Sequence, residues 1–291
     1  MSPISQPGLY YDIPSSDYHA DPCVEPSLSS SLARVMLAKS PAHAFLNHPR
    51  LGASGERIET ASMSTGSLIH AILSGGSEIV QGDYKDYRTK AAQDWRDETK
   101  ARSMVPVLAD AYSLALRAAE TVKARAGLGI TNQPFAGAAT TEVTAIWKEE
   151  DAFCRARYDL LNIDPSPAGT ADIWDWKSTV DISTRGIERT IQRYRYDIQV
   201  AFYMRGLAAI MPEYKGRVSF VLVFFETTAP FATRRVTLSS AYTARAGAQA
   251  YEAIQRWTAC IKSGVWPLTS PETLQVELPA YMDDDDEITI E

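Results

Sequence analysis

The stretch at residues 173–179 reads Ile-Trp-Asp-Trp-Lys-Ser-Thr (IWDWKST). Its apolar and aromatic residues predict a buried strand. Alternate side chains of a strand share a face, so Asp175 and Lys177 point the same way. Burying both charges is costly unless each finds a partner, typically an opposite ion or a metal. The two either neutralise each other or serve a site.

Outward from this stretch the texture is β-type. "TTEVTAIWKE" (140–149) and "AFCRARYDLLNI" (152–163) precede it, separated by turn residues. After it, "ERTIQRYRYDIQVAFYMRGLAAIM" (188–211) predicts one helix, with Ile187, Ile191, Tyr194, Ile198 and Phe202 on a recurring face. "RVSFVLVFFET" and "FATRRVTLS" predict two more strands, and an amphipathic helix covers 240–263. The first half is different. Residues 1–27, rich in Pro, Ser, Tyr and Asp, read as an extended arm; residues 28–130 read as a helical section. Within that section, two short helices span "SLSSSLARVMLAKSPAHAFLNHP", the second opened by a Ser40 cap and Pro41. A compact helix, "TGSLIHAILSG", is closed by Gly75 and Gly76, and a long alanine-rich helix is expected over 101–126. A core over 131–270 and an acidic tail over 271–291, with Asp283, Asp284, Asp285, Asp286 and Glu287, complete the division.

The composition excludes several classes. The 291 residues carry a net charge of −7, so bulk charge does not advertise a nucleic-acid partner. Cys23, Cys154 and Cys260 form no C-x-x-C pair, which argues against a zinc ribbon or an iron–sulfur cluster. The N-terminus lacks a basic region followed by an apolar core, and the longest apolar run, Phe220–Phe225, is far too short to cross a bilayer. A reduced, cytoplasmic protein without a membrane partner is expected.

A lone D-x-K is weak, since about one is expected by chance in a chain of this size. Its neighbours strengthen it. Asp159 ends "CRARYD", so a hairpin can bring it beside Asp175. Two adjacent carboxylates repel unless protonated or bridged by a divalent cation, and oxygen ligands suit Mg²⁺ or Mn²⁺. Lys177 then sits where an ammonium can orient a water or balance charge on a phosphate, as metal-assisted phosphodiester hydrolysis requires. Gly66 and His70 lie four apart on one helix face; so do Gln199 and Tyr203, with Arg195 one turn earlier. Arg185, Arg189 and Arg193 recur every four residues, a stripe that is either a solvated face or a track for a DNA backbone. His19, His43 and His48 read as surface or loop residues.

The ordered set G-x-x-x-H, R-x-D, D-x-K and Q-x-x-x-Y resembles the PD-(D/E)xK nucleases of the RecB-like branch. Within it the chain most resembles the exodeoxyribonuclease VIII (RecE) C-terminal nuclease domain and phage-type exonucleases, over about residues 10–265. "SLSSSLARVMLAKSPAHAFL" and "YRYDIQVAFYMRGL" share the likeness. The resemblance implies a restriction-endonuclease-like α/β core, a mixed sheet flanked by helices, with the N-terminal helical section delivering the histidine. It implies His70, Asp159, Asp175 and the backbone carbonyl of Trp176 as Mg²⁺ ligands, Mn²⁺ being an alternative, with Glu142 as support. Lys177 would position the attacking water, and Gln199 and Tyr203 would contact DNA. Tyr158 stands where the motif's name has proline, and Asp175 where glutamate is frequent; neither removes a ligand. The activity implied is 5′→3′ exonuclease digestion from duplex ends, supplying single strands for phage-type recombination. A strand-annealing recombinase partner and a ring-shaped homo-oligomer belong to the same picture. Alternatives are an endonuclease or single-strand nuclease of the same fold, and a catalytically silent binding module.

Overall fold

A computed structural model describes residues 2–52, 64–75, 79–102, 104–127, 139–268 and 275. The chain opens with β1 (Gly8–Tyr10), α1 (Ser15–Ala20), β2 (Leu28–Ser29), α2 (Ser30–Ala38), α3 (Pro41–Asn47) and α4 (Thr65–Leu73). It continues with β3 (Ile79–Gly82), α5 (Lys90–Ala101), β4 (Val105–Leu108) and α6 (Ala109–Gly127). The second half comprises β5 (Thr140–Glu149), β6 (Ala152–Ile163), β7 (Ala171–Thr179), α7 (Thr184–Tyr194) and α8 (Tyr196–Ile210). After these come β8 (Val218–Glu226), β9 (Thr233–Val236) and α9 (Ser240–Ser263).

The architecture is mixed α/β. One sheet runs β1-β5-β6-β7-β8-β9, with β2 added beside β6. Most neighbours are antiparallel; β7–β8 and β2–β6 are parallel. β8 shows why the sheet is central. Its apolar run alternates between two cores, Leu222 and Phe224 facing one and Val223 and Phe225 the other, as a strand covered on both faces requires. The first core is closed by α2, α8 and α9, the second by α4 and α6. Gly206 lets α8 settle on the sheet: a Cβ there would lie 2.5 Å from the Trp147 ring.

Three expectations are corrected. The N-terminal arm is folded onto the sheet: β1 pairs antiparallel with β5, and α1 follows. A buried polar knot holds it there. Asp21 accepts from the Ser27 hydroxyl at 2.7 Å, and its carboxylate pairs with Arg155 at 3.2 Å and His48 at 3.1 Å. His48, read as a loop residue, is thus fully buried. The helical section also contains strands. β3 and β4 pair in parallel as a separate small sheet, and the alanine-rich helix starts at Ala109 because Pro106 upstream is incompatible with a helix interior. The helix expected over 188–211 breaks at Arg195, whose φ of 52° and ψ of 47° are left-handed. The break shifts the helical phase, so Tyr194 is 49% exposed while Ile187, Ile191, Ile198 and Phe202 are buried. The acidic tail lies outside the described residues, as do residues 131–138 of the expected core. Among the described residues no helix is long and apolar enough to cross a membrane.

Candidate active site

The site grows from a fork in the sheet. The first half of β6 meets β2, Leu28 opposite Cys154 and Ser29 opposite Arg155. Its last residues meet β7, from Leu160 opposite Trp174 to Ile163 opposite Ala171. Asp159 stands between these stretches, inside the strand rather than at its end. Its side chain fills the fork: the Trp176 backbone N–H donates to Asp159 Oδ2 at 2.8 Å. The Trp176 indole itself is buried in the core on the other face.

α4 brings the imidazole. Ser64 caps this helix by accepting from the Ser67 N–H, and His70 Nε2 lies 2.9 Å from Asp159 Oδ2. Gly66 is what lets the helix come so close, since a Cβ there would meet Ser178 Oγ at 2.7 Å. The motif glycine and histidine are therefore one device, a close approach and the group it delivers.

Asp175 and Lys177 share a face of β7, as the alternation predicts, and the ammonium touches Asp175 Oδ2. Asp175 Oδ1 accepts from Gln199 Nε2 at 2.7 Å, so this amide is engaged with the acid rather than free to meet a ligand. Lys177 Nζ also sits 4.8 Å from the centre of the Tyr196 ring. Tyr203 is buried, edge-on to Tyr158. Glu142 has a left-handed backbone, φ 57°, and its carboxylate pairs with the Arg157 Nε. Such a conformation in a non-glycine residue is costly and concentrates at functional sites.

These groups line one cleft of about 620 Å³. His70, Glu142, Asp159, Asp175, Lys177, Gln199 and Tyr203 all face it. Arg195 does not. It occupies the helix break and is tied to Asp197 at 3.0 Å and Gln249 at 2.6 Å, so its expected place one turn before Gln199 is corrected. Arg185, Arg189 and Arg193 are exposed on α7, outside the cleft lining. Arg155 and Arg157 line the cleft and were missed. The signal was present, because "RARYD" spaces Arg155, Arg157 and Asp159 by two along one strand face.

Burial and charge pull against each other here. Burial pushes the Asp175 carboxyl up to about 6 despite Lys177. Burial also works against the charged form of Asp159, yet His70, Lys177 and the Trp176 N–H outweigh it and hold that carboxyl below its ordinary range. His70 is raised: burial opposes its charge, but the Asp159 carboxylate prevails. Lys177 is likewise raised, Asp175 and Asp159 overcoming burial. Burial raises Glu142 against the pull of Arg157.

The donor chemistry fits a hard divalent cation: two carboxylates and an imidazole line one cleft, and Asp175 Oδ2 is buried with the Lys177 ammonium against it. As they stand, the acids are capped by His70 and Lys177. Among the described residues no three His, Cys, Asp or Glu are grouped as an ion site.

A mixed sheet whose adjacent strands carry Asp159 and the Asp175-x-Lys177 pair, with helices on both faces, defines the PD-(D/E)xK class of α/β fold. The chain belongs to the family described as a PDDEXK-like domain of unknown function (DUF3799), whose model matches residues 29–276. Among curated proteins no sequence matches. Among solved structures the chain resembles the "putative exonuclease" of Eubacterium rectale, with 13% identity and a TM-score of 0.53. That match covers 94% of this chain and 98% of the other. A phage related exonuclease from Haemophilus somnus 129PT matches at 15% identity and a TM-score of 0.27, over 70% of this chain and 96% of that one.

Proposed function

We propose that the chain hydrolyses DNA phosphodiester bonds as a metal-dependent exonuclease acting from duplex ends. The observation that carries this reading is the convergence of Asp159, Asp175, Lys177 and His70 on one cleft at the strand fork. Family membership and a full-length likeness in fold to the Eubacterium rectale protein support it. Asp159, Asp175, His70 and the Trp176 carbonyl would hold Mg²⁺ or Mn²⁺. That ion would supply Lewis-acid polarisation of the phosphate and a more acidic bound water. The chain's own residues do the rest. Gln199 fixes the rotation of the Asp175 carboxylate, the Trp176 N–H and His70 fix Asp159, and the Lys177 ammonium balances charge growing on the phosphate. Arg185, Arg189 and Arg193 would take backbone phosphates outside the cleft, contacts that set position without reading sequence. Tyr203 at the cleft wall would pack against the strand.

The 5′→3′ polarity, a recombination role, a strand-annealing partner and a ring-shaped assembly extend this reading and are supported by the resemblance in motif order. One assay tests the core claim: linear and circular duplex DNA incubated with the protein and Mg²⁺. Loss of the linear form alone is expected. Loss of both forms makes the protein an endonuclease, and persistence of both makes it a binding module. Digestion of single strands in preference to duplex ends assigns it to single-strand substrates. Equal loss in EDTA would remove the metal from the scheme.

A further inference from the structure

A second concavity lies on the reverse face of the sheet. β7 turns Asp175 and Lys177 to the cleft and Asp172 and Trp174 to the other side. There, between β9 and the end of α6, a groove of about 500 Å³ is lined by Arg125, Arg234, Arg235, Ser219, Thr233 and Thr237. Among the described residues none of the three arginines has a carboxylate at ion-pairing distance. Arg125 donates to the Phe231 carbonyl at 3.0 Å and Arg234 to the Thr184 hydroxyl at 3.0 Å. The one carboxylate in the lining, Asp172, is buried and turned to the hydroxyls of Ser219 and Thr170.

Charge on an edge strand is commonly protection against strand pairing, and β9 is an edge. That accounts for Arg234 and Arg235. It does not account for Arg125, which comes from α6 and faces the same concavity. Arg234 also links the groove to α7 through Thr184, the first residue of that helix. Arg234 turns to the α7 side, whereas Arg235, Thr233 and Thr237 share the strand face on the groove side, so two guanidiniums, Arg125 and Arg235, with hydroxyls beside them match phosphate oxygens.

We propose that this groove binds the phosphodiester backbone of a nucleic-acid strand, at a site separate from the cleft. It deepens, and rests on, the nucleic-acid reading of the cleft. The test uses the full chain, a fluorescein-labelled DNA oligonucleotide long enough to reach both faces, EDTA to prevent cleavage, and a salt series read by anisotropy. In the Arg125→Gln/Arg235→Gln variant, with thermal unfolding matched to wild type, affinity should fall about tenfold. The slope of log affinity against log salt should shrink by about 1.4–1.8, the loss of two phosphate contacts. Arg235→Lys should restore part of that slope. Unchanged affinity and slope in the double variant overturn the proposal. So does a variant that loses competition by poly-aspartate but keeps DNA binding, which would assign the groove to acidic protein segments. The cleft reading fails separately: a wild type that cuts nothing with Mg²⁺ yet shows the groove-dependent slope loses the nuclease and keeps the groove.

Discussion

Lys177 is held between a carboxylate and an aromatic face, and each contact makes a separate prediction. Replacing it with methionine should lower cleavage of linear duplex by on the order of 100-fold or more while leaving DNA binding in EDTA intact. Equal rates for the two proteins would take Lys177 out of the chemistry. Tyr196 steers the ammonium from 4.8 Å by its ring. Tyr196→Phe should therefore keep most of kcat and Tyr196→Leu lose it with little change in KM; equal loss in both would point to the hydroxyl instead. Asp175 adds a pH dependence. Its folded-state value is raised to about 6, so its contribution to stability is fullest at low pH and is lost as pH rises through that value. A bound cation stabilises the ionised form, so the gain in Tm on adding Mg²⁺ should be small at about pH 5 and larger at about pH 8. A pH-independent gain would contradict the assignment of Asp175 as a ligand.

Elements decide how these residues meet. α4 approaches β7 only because position 66 lacks a side chain. Gly66→Ala should destabilise the protein by about 1–3 kcal/mol, as overpacking does, and should slow cleavage by shifting His70. Pairing it with Ser178→Gly should recover both thermal stability and activity; a double variant no better than the single one would refute the close-approach account. At this scale the sequence was legible where periodicity is strict. The D-x-K strand, the hairpin partner strands, the Ser40-Pro41 helix start and α9 all show local chemistry that agrees with the final structure. It was illegible where a single residue overrides the period. Arg195 turns left-handed inside a helical pattern, and nothing local to an arginine announces that. Its bond to Gln249, 54 residues away, is a tertiary event. Gln199 was legible as a site residue by its spacing to Tyr203, but its bond to Asp175 depends on how α8 crosses the sheet.

The whole molecule is tied together by a knot that adjoins the cleft through Arg155. Asp21, Ser27, His48 and Arg155 join the N-terminal segment, the α3 end and β6 in one buried cluster. Burial opposes the charge of Asp21, yet His48, Arg155 and Ser27 outweigh it and hold the carboxyl below its ordinary range. Its contribution to stability is present above the ordinary carboxylate range and is lost as pH falls through the lowered folded value. Asp21→Ala should cost about 3–5 kcal/mol in denaturant unfolding by stranding the buried Arg155 guanidinium. A cost under about 1 kcal/mol would show the knot to be incidental. The segment's polar, proline-rich composition hid this role, because its apolar and charged anchors reach partners more than a hundred residues away. The sheet fork has a further consequence. β1 and β2 are the only cover, among the described residues, for the free side of β5 and the first half of β6. A chain shortened to begin after Ser29 would present two raw strand margins on the strands that lead to Asp159, and its first failure would be clumping with its own copies rather than slower chemistry.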